Sequence, residues 1–194
     1  MAEQPAITLR RTAPEALETV RPDLSFRLET DLGVAKLRIV GKDADARFQA
    51  VTGMVPPPSG RLVADQGLSV AWLAPGEWLV TGPEVAVAAW VARIGGQTAG
   101  DLLAVDLTHA RASFCLAGTA ARAALAAHCP LDLWPDSFPV DAVARSLLGD
   151  AGMFIARLSD GPHMPRFRII VDQTMAPYAG RLFARVQPRA GVFP

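Results

Sequence analysis

The chain has 194 residues, 51% of them hydrophobic and 20% charged, which allows one substantial packed domain or two small joined ones and excludes bulk disorder. Lysine plus arginine and aspartate plus glutamate number 19 each, and Arg10-Arg11 is the longest basic block, so a broad nucleic-acid surface is excluded. Zero net charge with positive mean hydropathy points instead to a buried interface with other proteins.

Cys115 and Cys129 form neither a CxxC pair nor a disulfide framework, and read as buried thiols. The N-terminus lacks a basic stretch followed by an apolar core, and no apolar run reaches the ~18 residues a membrane helix needs. A soluble, cytoplasmic protein without membrane contact is expected.

Residues 1–23 read as a loosely structured extension. Segments 24–30 and 34–40 predict a hairpin around Asp31-Leu32-Gly33. Gly41-Lys42-Asp43 then opens a helix, with Asp43 at the N-cap and Ala44, Phe48 and Val51 on one face. The proline-rich run 55–60 is a rigid connector. Strands follow over 68–73 and 77–80 around Ala74-Pro75-Gly76, with Trp72 and Trp78 flanking the turn as a binding wall or as core anchors.

A helix over 84–94 carries Val85, Val87, Trp90, Val91 and Ile94 among alanines and has almost no polar face. Such a helix must be covered on more than one side, either by its own fold or by another chain. Gly95-Gly96 and Gly100 follow a helix instead of joining a strand to one, which rejects a dinucleotide-binding loop.

Residues 103–133 read as strand, polar turn, strand and helix, the helix opening at Gly118 or Thr119 and stopping before Pro130. Gly118 at this junction either exposes amides to an anion or serves turn geometry, and a lone glycine favours the latter. Strands are expected over 153–158 and 167–171 around a loop at 159–165, then a helix from Thr174 closed by Pro188 and a frayed tail.

The two halves are alike. Leu37-Arg-Ile-Val-Gly-Lys-Asp-Ala-Asp-Ala-Arg-Phe48 aligns without a gap on Phe114-Cys-Leu-Ala-Gly-Thr-Ala-Ala-Arg-Ala-Ala-Leu125. Two β-β-α-β-β-α units over 24–100 and 101–187, followed by a tail at 188–194, predict an α+β fold with two antiparallel sheets and helices on one side of each.

Little in the sequence points to chemistry. His109, His128 and His163 lack metal-ligand spacing, His128 and Cys129 diverge on a helix, and no GxSxG or Walker pattern occurs. Asp101 and Asp106 read as solvated strand ends.

The runs Asp106-Leu-Thr-His109, Phe114-Cys-Leu-Ala-Gly118 and Ala120-Ala-Arg-Ala-Ala-Leu125 resemble the glycine-cleavage T-protein and its folate-binding relatives. Ala71-Trp-Leu-Ala-Pro-Gly-Glu-Trp-Leu-Val80, Cys129-Pro-Leu-Asp-Leu133, Phe138 and Arg145 narrow the likeness, over residues 20–187, to the gamma-subunit family of heterotetrameric sarcosine oxidases. That resemblance implies alpha, beta and delta partner subunits in a complex that oxidatively demethylates sarcosine. It places FAD, FMN and NAD on the large subunits, zinc on the small delta subunit, and tetrahydrofolate as acceptor of the carbon.

The resemblance also exposes a departure. Where the T-protein pattern has an acidic pair after a glycine, this chain has Gly152-Met-Phe-Ile155, which cannot orient a pterin or amine by hydrogen bonding. No catalytic, cofactor-binding or metal residue is therefore expected in this chain. Trp72, Val87, Trp90, Val91 and Trp134 are the expected partner-interface residues. The alternative is a stand-alone folate-binding or one-carbon-transfer protein.

Overall fold

The computed structural model describes residues 17–96, 100–161 and 164–185. Its strands form two antiparallel sheets. Strands β1 (Thr19–Arg21), β2 (Leu24–Leu28), β8 (Arg111–Ala117), β11 (Met164–Asp172), β10 (Ala151–Gly161) and β9 (Val143–Leu148) lie side by side in that order in one. The other runs β4 (Leu62–Asp65), β5 (Leu68–Ala74), β6 (Glu77–Pro83), β3 (Leu32–Ile39) and β7 (Leu102–Asp106).

Strand alternation decides what lies on each face. In β3, Ala35, Leu37 and Ile39 point to helices α1 (Ala44–Thr52) and α2 (Glu84–Gly95), where they pack with Phe48, Trp78, Val87, Trp90 and Ile94. In β8, Ala112, Phe114 and Leu116 point to α3 (Ala121–Ala126) and α4 (Ala176–Ala184), packing with Leu125 and Phe183. The opposite faces meet each other, and a smaller core of Val34, Ala71, Leu79, Val143, Ala156 and Ile170 joins the sheets. The result is four layers, helices outside and sheets within.

The internal repeat is present in the backbone. Gly41 and Gly118, which the alignment equates, have φ of +132° and +127°, and both precede a helix whose Phe48 or Leu125 is fully buried. At Gly118 a β-carbon would collide with the Asp23 carbonyl oxygen, and the nearby amide of Ala120 donates to that same oxygen at 3.0 Å. Close backbone packing, not an anion site, is what this glycine serves. Each half carries one strand more than the expected plan, the short edge strands β4 and β9.

The predicted hairpin over 24–40 does not form. β2 pairs with β1 and β8, whereas β3 pairs with β6 and β7, so the link at 29–31 crosses from one sheet to the other. β7 makes the reciprocal exchange. Polar side chains hold the crossings: Glu29 accepts from Ser113 and Arg168, and the Thr108 hydroxyl accepts the Val34 amide at 3.0 Å. β1 lies where the sequence predicts loose structure, and β10 extends into the expected loop at 159–165. Residues 1–16, His163 and the tail 188–194 lie outside the described residues.

Candidate functional site: the cleft between the sheets

The helix-facing sides of both sheets are apolar, but the sides that face each other are mixed. Lys36 on β3, Arg111, Ser113 and Cys115 on β8, and Arg166 and Arg168 on β11 all share the inter-sheet face with the small joining core. Charged side chains resist full burial, so the sheets close over the apolar centre and part to one side of it. There they leave a cleft of about 770 Å³. Leu73, Leu79, Leu107, Phe154, Ile170 and Met175 supply its apolar walls, and Lys36, Arg111, Arg145 and Asp172 its charges.

Most of those charges are already paired. Lys36 Nζ lies 2.8 Å from Glu77 Oε2, and this hydrogen bond holds the Glu77 carboxyl below its ordinary value. Arg111 Nη1 donates to Asp172 at 2.7 Å. The Asp172 carboxyl is held low chiefly by the Thr174 hydroxyl and amide, with the Arg111 charge adding to them. Arg145 is exposed, acts on Glu77 only through space, and has no carboxylate within ion-pair distance among the described residues. The site is suited to holding an apolar group that carries a negative charge. Phe154, from the Gly152-Met-Phe-Ile155 departure, lies in its wall opposite Arg145.

The expected interface residues are not brought together. Val87 and Trp90 are 0% and 4% exposed beneath the β3 sheet, so their own chain covers them, correcting the expectation that they meet a partner. The outer side of α2, led by Val85 at 82% exposure, faces solvent instead. Val91 and Trp72 are half-buried, on α2 and beside the start of α1. Trp134 is 63% exposed on a turn held by Asp132, which accepts the Trp134 amide at 3.1 Å and the Ser137 hydroxyl at 2.5 Å.

The other polar candidates also have structural roles. Asp101 pairs with Arg47, and Asp106 accepts the Thr108 amide at 2.8 Å. His109 faces Glu84 at 3.7 Å and His128 meets the Phe183 ring edge-on. Both cysteines are free, and Cys129 is buried with its sulfur 3.8 Å from the Ser146 hydroxyl. No cluster of three potential metal ligands occurs among the described residues, and no helix there is long and apolar enough to cross a membrane.

Sequence reasoning missed the cleft residues Lys36, Arg111 and Leu147, and named Arg145 and Phe154 without placing them in one cleft. A lysine inside the apolar strand Val34-Ala35-Lys36-Leu37 was the available signal, because it marks one face as not wholly apolar.

Comparison with known proteins decides the family. The model of the sarcosine oxidase gamma subunit family matches residues 41–180. The chain belongs to that family. Gamma-subunit family members from Arthrobacter sp. and from Corynebacterium sp. strain U-96 are each 30% identical to it. The first match covers 68% of this chain and 64% of that protein, and the second covers 80% and 74%. The fold is shared with a chain of the heterotetrameric sarcosine oxidase of Corynebacterium sp. U-96, at TM-score 0.70 and 24% identity, over 89% of this chain and 92% of that one. It is shared also with the glycine cleavage system aminomethyltransferase T of Bartonella henselae, at TM-score 0.63 and 14% identity, over 85% of this chain and 46% of that one.

Proposed function

We propose that the chain works as the gamma subunit of a heterotetrameric sarcosine oxidase, bound to alpha, beta and delta subunits and performing no redox step of its own. The complex would oxidatively demethylate sarcosine to glycine in the cytoplasm. FAD, FMN, NAD and zinc would reside on the partner subunits, and tetrahydrofolate would receive the one-carbon unit.

Family membership supports this reading, and the geometry adds one observation that carries it. The cleft wall nearest its open charge is Phe154 and Gly152, at the place where the resemblance to the T-protein sets an acidic pair. A phenyl ring accepts no hydrogen bond of that kind, which supports a fold retained for contact with partner chains. Trp72, Val91 and Trp134 keep accessible apolar surface for those contacts.

Native mass spectrometry with an absorbance spectrum, on tagged chain drawn from its own host, tests the proposal. A yellow assembly with three further chains is expected. A colourless monomer or homo-oligomer overturns it. Micromolar folate binding by such a monomer would favour the stand-alone folate-binding alternative.

A further inference from the structure

We infer that the open edge of β9 and the cleft beside it receive an extended segment of another subunit, which carries an acidic side chain for Arg145 and an apolar one for the cleft. The inference rests on the gamma-subunit reading and names the surface the partner takes.

β9 is the last strand of its sheet, and its outer edge changes character along its length. At the start the two sheets are stitched together: the Val143 amide donates to Gly60 at 2.8 Å, and the Leu62 amide to Asp141 at 2.9 Å. Because the Val143 amide points outward, alternation turns the backbone groups of Arg145 and Leu147 outward too, and leaves 144, 146 and 148 to pair with β10. Beyond the stitch those outward groups have no partner among the described residues. Exposed edges are commonly blunted by charged side chains, proline or a bulge, yet Val143–Leu148 reads Val-Ala-Arg-Ser-Leu-Leu in regular register, with Arg145 its one charge and Leu147 50% exposed.

The side chains at this edge agree with its backbone. Arg145 and Leu147 lie on the cleft side, opposite Phe154 and the side-chain-free Gly152. A β-carbon on Gly152 would meet nothing within 4 Å, so space is open beside Leu147. A strand added here would satisfy the outward amides and carbonyls, and its alternate side chains would enter the cleft. Lys36 and Arg111 have their own carboxylates, which leaves Arg145 to select an acidic residue. A second copy of β9 does not fit that charge, because Val143–Leu148 contains no carboxylate and would set arginine against arginine.

The test uses the full chain assembled with its host partners. Leu147→Pro removes one outward amide without touching the β10 ladder, and Arg145→Glu reverses the selecting charge. Each is expected to weaken assembly about 10-fold or more while the isolated variant keeps the wild-type circular dichroism spectrum. In the wild-type assembly, the amides of Arg145 and Leu147 should exchange with deuterium at least about 10-fold more slowly than in the isolated chain. Equal exchange in the two states overturns the inference, even if the proline variant fails to fold. So does wild-type assembly by both variants, or protection that arises in a homodimer. If the wild-type chain captures no other subunit, the gamma-subunit reading falls, and this inference falls with it.

Discussion

Arg168 and Glu29, 139 positions apart, meet in a two-pronged ion pair, Nε to Oε2 at 2.8 Å and Nη2 to Oε1 at 2.9 Å. The pair lies between the sheets, where Ser113 adds a hydrogen bond to Glu29, and Arg168 reaches the Thr81 hydroxyl on β6 at 3.3 Å. It fixes the end of β2 on the far sheet and so decides which way the chain turns into β3. Truncating Arg168 to alanine strands a mostly buried carboxylate. We expect a loss of about 2–3 kcal/mol in urea unfolding. The Arg168→Ala/Glu29→Ala double variant should lose clearly less than the sum of the singles, and additivity would show that the two side chains act separately.

The equivalent glycines of the repeat separate backbone strain from collision. Alanine at Gly41, φ +132°, meets open space, whereas alanine at Gly118, φ +127°, strikes the Asp23 carbonyl and lies 3.0 Å from the Leu24 Cα. Thermal unfolding should show about 1–2 kcal/mol lost at Gly41→Ala and about 3 kcal/mol or more at Gly118→Ala. Equal losses would remove the packing role assigned to Gly118.

Trp90 and Trp134 should divide stability from assembly. Trp90→Ala empties a core site under the β3 sheet and is expected to cost about 3–5 kcal/mol. Trp134→Ala removes an exposed indole and should change the stability of the isolated chain by no more than about 0.5 kcal/mol. If the gamma subunit packs this ring against a partner, assembly should weaken about 10-fold or more. Unchanged binding would take Trp134 out of the interface.

Acid should loosen the β3–β6 side of the cleft through Glu77. Its folded-state carboxyl is depressed below the ordinary 4.5, first by the Lys36 hydrogen bond and then by the charges of Lys36, Arg38 and Arg145. Below 4.5 the unfolded chain therefore takes up this proton more readily than the folded one. The contribution is complete above that pH and lost as pH falls through the lower folded value. Glu77→Gln should lose about 1 kcal/mol or less at neutral pH and unfold with a shallower dependence on pH below 4.5. Parallel wild-type and variant curves in acid would contradict this assignment.

The repeat, the Ala44–Phe48 face of α1 and the positions of Gly41 and Gly118 were legible because each is written in local spacing. The strand exchange was not. The link Glu29-Thr30-Asp31 has the length of a hairpin turn, and the groups that send it across, Arg168 and Ser113, lie more than eighty positions away. Trp90 shows a second limit, since a helix rich in alanine and valine looks apolar all round while burying only the Val87–Trp90–Ile94 stripe. The cleft was hidden because its walls come from seven strands and each contributes only one or a few residues.

The reciprocal crossing of β2 and β7 sets an order of events at the ribosome. β2 emerges early but has no sheet to join until β8 follows, and β8 in turn needs β11 beside it. The β3 sheet needs only β7 to complete its edge, and β7 precedes β8 in the chain. The β3 sheet can therefore close first, whereas the other must pair β2 with β8 across more than eighty positions and then add β11, and such long-range steps are slow. During that interval β2 and the β9 edge stand open together, and partner subunits made nearby would meet a chain that has not yet finished folding.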